Sequence, residues 1–215
     1  MKIFALAVLA ASAGVASASV TISQWDLLGA PGDQVFTPGS AVANVSAMNL
    51  TRGAGLGVSA AANSFSSLGW TQASDDYFSW GFTVDSGYAV NLDSLYIGTR
   101  SSNTGPGQLG LYYSGDGFTT AITTFAQVGT AFNNMVIDLS ALPNLTGTVE
   151  FRVAQIGNVS ANGGTTSSSG TFRFSAYFVN NTFDRNLQFT GDVVPTPGAM
   201  ALLGLGGLVA GRRRR

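Results

Sequence analysis

The sequence predicts an all-β body, an antiparallel two-sheet sandwich of jelly-roll-like type, flanked by an N-terminal signal peptide and a short hydrophobic C-terminal stretch. Three observations lead there. Apolar residues in the middle of the chain recur with period two, the spacing of a strand with one dry face. Lysine and glutamate, the usual surface residues of helices, are almost missing from residues 19–192, where Glu150 is the one example. Pieces rich in Gly, Ser, Asn and Pro, such as GAPGD, TRGAGLG, TRSSNTGPGQ and SGDGF, punctuate the alternating runs.

Taken in order, residues 20–26 and 41–50 read as the first strands. SAAANSFSSLGW fits a short helix and an irregular crossover equally well. In YFSWGFTV, residues 77–84, Phe78, Trp80, Phe82 and Val84 form one face and Tyr77, Ser79, Gly81 and Thr83 the other. Residues 91–98, 108–113, 121–128 and 135–139 supply shorter strands. GTVEFRVAQI sets Val149, Phe151 and Val153 against Glu150, Arg152 and Ala154; TFRFSAYFV sets Phe172, Phe174, Ala176 and Phe178 against Arg173, Ser175 and Tyr177. About nine strands with short connections read as two packed antiparallel layers. Residues 161–170 are a surface loop rather than a linker, because a strongly alternating strand follows them.

The formal net charge of −1 hides a segregation. Four arginines, Arg212, Arg213, Arg214 and Arg215, stand at the end, and Lys2 stands at the start. The body keeps five arginines against eleven carboxylates, a net −6 (five minus eleven). An acidic body without a basic patch argues against nucleic acid as a partner. The absence of histidine and cysteine removes Ser-His-Asp and Cys-His catalysis, typical zinc sites and disulfides.

A few body residues remain candidates for binding. Packing is the plainer reading of Trp70, in SLGWTQASDD; as a residue exposed enough to stack on a sugar ring it stands beside Tyr112 as a candidate binder. Arg100, at a strand end beside a polar loop, can clamp a carboxylate-bearing polymer or pair with a body aspartate. Asp75 and Asp76, with Asp116 of SGDGF, are candidate calcium ligands. The plainer alternatives are a polar strand start and a tight turn. No other cofactor is expected. A glycoside hydrolase or polysaccharide lyase would need acidic residues, or a Tyr/Arg/Asp cluster, inside a cleft.

The two ends read as delivery segments. Lys2, an apolar stretch and small residues leading to Ala16 and Ala18 have the layout of a secretory signal peptide, cleaved by signal peptidase between Ala18 and Ser19. At the other end VVPTPGAMALLGLGGLVAGRRRR joins a proline motif, an uncharged stretch and a basic stop. Residues 198–211 form 14 uncharged positions, about 21 Å as a helix. That is short for a durable span and suits transient membrane insertion.

This combination resembles the PEP-CTERM sorting signal of exported bacterial proteins. In that family a Val-Pro-Glu-Pro motif precedes a hydrophobic stretch and an arginine-rich end. Val194, Pro195 and Pro197 match it, and Thr196 stands where the family has glutamate. The resemblance implies an exosortase, a membrane processing enzyme, as partner. The run from DDYFSWGFTV through SGDGF, followed by TVEFRVAQI, is similar to the β-sandwich ectodomain of many such proteins. It implies residues 1–18 as signal peptide, 19–192 as ectodomain and 193–215 as sorting signal. The expected function is that of a non-enzymatic exported protein of the cell surface or extracellular matrix, associated with exopolysaccharide or biofilm. A carbohydrate-binding module for extracellular polysaccharide is the alternative.

Overall fold

The computed structural model describes residues 19–196 and Gly198. The expected signal segment with Ala16 and Ala18, Pro197, residues 199–211 of the expected sorting helix and Arg212, Arg213, Arg214 and Arg215 lie outside the described residues. Strands dominate, and no α-helix occurs among residues 19–196. The first third holds β1 (Val20–Trp25), β2 (Pro31–Gly32), β3 (Gly39–Ala41), β4 (Val45–Ala47), β5 (Thr51–Arg52), β6 (Gly57–Val58) and β7 (Ser64–Leu68). The middle holds β8 (Tyr77–Val84), β9 (Tyr88–Ser101), β10 (Gln108–Tyr113), β11 (Thr123–Ala126) and β12 (Asn133–Asp138). The last part holds β13 (Gly147–Gln155), β14 (Thr171–Ser175), β15 (Tyr177–Val179), β16 (Thr182–Arg185) and β17 (Leu187–Pro195).

These strands form a nine-stranded sheet, a six-stranded sheet and a two-stranded hairpin of β15 and β16. The larger sheet runs β2-β7-β14-β9-β17-β1-β3, with β12 also on β9 and β6 on β7. The smaller runs β11-β10-β13-β8-β4, with β5 also on β8. The pair β2 and β7 is parallel, so the expected all-antiparallel pattern has one exception. The segment SAAANSFSSLGW contributes a strand, β7, where a helix or crossover was expected. TFRFSAYFV breaks at Ala176, whose N–H turns to the carbonyl of Asn63, so Phe178 joins the hairpin and is only partly buried at the edge of the core.

The alternating residues meet as their period requires. Phe78, Trp80 and Phe82 of β8 point inward and are fully buried. They face Phe172 and Phe174 of β14 and Phe189 of β17 on the other sheet. Trp80 lies edge-on to Phe174 at 5.1 Å and Phe82 edge-on to Phe189 at 5.8 Å. Phe151 of β13 reaches Phe189 at 4.6 Å. Each such pair adds about 0.5–1.5 kcal/mol beyond its area burial. Two sheets sharing one aromatic core fit a sandwich. With no cysteine in the chain, packing takes the place that disulfides fill in many exported domains.

Candidate ligand site

The outward face of the larger sheet carries the least explained chemistry. On β9, Leu95, Ile97, Thr99 and Ser101 point into the core, so Tyr96, Gly98 and Arg100 point out. On β14 the same alternation buries Phe172 and Phe174 and turns Arg173 out. Register makes Arg173 the direct cross-strand partner of Arg100. Like charges placed directly opposite each other cost stability.

No carboxylate nearby offsets them. Among the described residues the ion pairs are Arg152 with Glu150 and Arg185 with Asp184; Arg100 has no carboxylate within reach, which corrects the expected pairing with an aspartate. The Nε of Arg173 is buried without a hydrogen-bond partner. Desolvation, and secondly the charge of Arg100, hold the Arg173 pKa below the usual arginine value. Both guanidinium groups lie over the ring of Phe132, at 4.7 Å for Arg100 and 5.3 Å for Arg173. That ring is 58% exposed. Beside the arginines is a cavity of about 210 Å³, whose wall includes Ser102, Thr130 and Thr171. Phe132 also walls a second cavity of about 470 Å³, with Asn134, Phe178, Asn180 and Asn181. Gly98, between Tyr96 and Arg100, is buried against the next strands: a Cβ there would stand 2.8 Å from the Ser175 carbonyl and 3.0 Å from Asn134 Oδ1.

The other expected binders are not gathered here. Trp70 is 1% exposed, packed edge-on against Phe78 and Phe172 at 5.3 Å each, and its Nε1 donates to the Ser67 carbonyl. Its candidate role at an exposed groove is therefore corrected; the preceding Gly69, at φ +93°, turns the chain so that the indole enters the core. Tyr112 lies on β10 opposite Arg152, on the outward face of the smaller sheet, and does not meet Arg100. Arg173, Phe132, Phe178 and the asparagines were not singled out as binders. Arg173 had been placed on the polar face of its run, but only register reveals its neighbour.

The three aspartates do not converge on a calcium ion. Asp76 is buried, and its Oδ2 accepts from Thr71 N at 2.7 Å, Thr71 Oγ1 at 2.8 Å and Ala73 N at 3.0 Å. It clasps its own loop, while Asp75 is exposed. Asp116 accepts from Thr119 N at 3.3 Å and Thr120 N at 3.0 Å, securing the turn after β10. Tyr113, three residues before Asp116, is level with Phe151 and Trp80, three positions past the start of β8, whereas Asp75 and Asp76 precede that strand. Among the described residues no three acidic or other metal-ligating groups cluster.

A further cavity, of about 210 Å³, has both Asp116 and Asp138 in its wall. Hydrogen bonds from Ser140 hold the Asp138 carboxyl below its ordinary pKa. A glycosidic general acid needs the opposite shift.

The first residues of the expected sorting motif are paired within the sheet. Val194 and Pro195 are the last rungs of β17, opposite Ala89 and Tyr88 of β9. Thr196 N donates to the Gly87 carbonyl at 2.8 Å. Residue 192 therefore lies within β17, which runs on to Pro195; proline, lacking an N–H, is tolerated at a strand end. No helix among the described residues is long and apolar enough to cross a membrane. In comparisons with known proteins, no family model, no curated protein and no solved structure matches the chain.

Proposed function

We propose that the chain is a non-enzymatic exported protein of the cell surface or extracellular matrix, a jelly-roll-like sandwich delivered by two removable ends. The supporting observation is the fit between fold and delivery segments. Strand β1 starts at Val20, just after the Ala18/Ser19 cleavage point, and β17 ends at Pro195, within the Val194-Pro195-Thr196-Pro197 motif. Signal peptidase would release the first segment. An exosortase-like enzyme would act on the second while the short helix of residues 198–211 sits in the inner membrane and the terminal arginines stay on its cytoplasmic side. Cleavage after Thr196 leaves every rung of β17 in place; cleavage ahead of Val194 removes two.

The second reading is a carbohydrate-binding module for extracellular polysaccharide, and the two unpaired arginines under Phe132 favour it. The two readings are compatible, since a matrix protein needs something to hold.

Fractionation of the native host into cytoplasm, membrane, surface and medium tests the proposal. The protein is expected in the surface or medium fraction. Replacing Arg212, Arg213, Arg214 and Arg215 with alanine is expected to impair processing or invert the tail. Retention of the parent chain in the cytoplasm would contradict the reading.

A further inference from the structure

In a body with more than twice as many carboxylates as arginines, two arginines stand side by side without a carboxylate. Arg52, Arg152 and Arg185 all find acceptors. Arg100 and Arg173 are instead opposed across a strand pair, with one guanidinium nitrogen buried and unpartnered. Two planar forks converging on one small cavity match an oxyanion that accepts two hydrogen bonds from each side. The hydroxyls of Ser102, Thr130 and Thr171 at the same wall suit a ligand that itself carries hydroxyls.

The neighbouring cavity tells what the oxyanion is attached to. Its volume of about 470 Å³ lies in the range of small-ligand sites. Aromatic faces of Phe132 and Phe178 stand next to the exposed amides of Asn180 and Asn181. An apolar face with amides at its edge is what a sugar ring presents a match for. The net charge of −6 on the body repels a densely charged polyanion and tolerates isolated carboxylates.

We propose that Arg100 and Arg173 clamp the carboxylate of an acidic sugar within a polysaccharide of mixed acidic and neutral residues, with the adjoining sugar against Phe132 and Phe178. This deepens, and rests on, the reading of the chain as a surface or matrix protein. The ligand class is a uronic-acid-containing heteropolysaccharide, and the like-charge strain between the arginines is relieved when the carboxylate enters.

Titration calorimetry on the full chain in an uncharged detergent tests this. Three probes are used: a hyaluronan hexasaccharide, which alternates glucuronate with a neutral sugar; neutral chitohexaose; and inorganic sulfate. The hexasaccharide is expected to bind and chitohexaose is not. Arg100→Leu and Arg173→Leu are each expected to weaken binding at least about tenfold, from lost charge-assisted hydrogen bonds. Arg173→Lys, which keeps the charge and loses the fork, is expected to recover only part of that. Because every variant keeps the terminal arginines, those contribute equally. Both leucine variants are expected to melt at or above the parent temperature. No affinity for the hexasaccharide, or equal affinity in the leucine variants, would overturn the clamp. Sulfate binding as tightly as the hexasaccharide would make this an inorganic-anion site and overturn the sugar assignment. A chain confined to the cytoplasm that binds the hexasaccharide would remove the surface reading and leave the clamp; a surface protein without affinity would do the reverse.

Discussion

Arg52 and Arg173 are both half-buried arginines on strands of this body, and burial lowers the proton affinity of each, that of Arg52 to a pKa of about 10. Their surroundings differ in every other respect. Arg52 donates from Nη1 to Gln34 O at 2.6 Å, from Nη2 to Gly32 O and Ser66 O at 2.7 Å each, and from Nε to Ser67 Oγ at 2.7 Å. It lies over Phe65 at 3.7 Å and ties the loop around β2 to β7. Arg173 has a like charge opposite it, an unpartnered Nε and a half-exposed ring above it. A buried cation with its acceptors in place is a fastening of the fold. One without them has its donors free for something the chain does not itself contain.

That contrast orders the expected effects of substitution. Phe82→Asp buries a carboxylate with no hydrogen-bond donor or cation to meet it, inside the aromatic core, and is expected to cost roughly 4–5 kcal/mol or more; a cooperative denaturant melt at the parent midpoint would break the assignment of that face. Arg52→Met takes the guanidinium donors from the carbonyls of Gly32 and Gln34 and leaves that of Ser66 only the Ser59 N–H; it is expected to cost about 2–4 kcal/mol in the same melt. Arg173→Leu is expected to stay within about 1 kcal/mol of the parent, on the stable side, because it removes like-charge opposition. A loss comparable to that of Arg52→Met would erase the distinction between the two arginines. The smallest effect concerns Asp138. Its folded-state pKa is depressed by Ser140, so its contribution is present above the ordinary aspartate value and fades as pH falls through the folded one. Carboxyl NMR titration is expected to show this carboxyl below the usual range, and Ser140→Ala, which removes the hydroxyl and keeps the backbone N–H, is expected to bring it part of the way back.

Much of the fold was legible where period-two alternation was strong. Residues 77–84 and 108–113 match β8 and β10 end to end, and Phe78, Trp80 and Phe82 lie on the buried side as their spacing required. β7 was hidden because Ala60, Ala61 and Ala62 precede a serine-rich strand whose residues favour no single structure. The two-residue strands β2, β5 and β6 exist through their partners rather than their composition. The candidate site was half legible. Arg100 stood out as a cation at a strand end, but its neighbour is 73 positions further on and meets it through a register that no local pattern encodes. Trp70 misled for the reverse reason: polar residues follow it in sequence, while Phe78 and Phe172 surround it in space.

The central claim is that this acidic sandwich is delivered to the outside of the cell and leaves both delivery segments behind. Intact mass spectrometry of the native protein, recovered separately from the membrane, surface and medium of its host, tests it most directly. The account predicts an external species that begins at Ser19 and ends within Val194, Pro195 and Thr196, with or without added mass. An external species that still carries Arg212, Arg213, Arg214 and Arg215 would contradict it, and would make the tail a retained anchor.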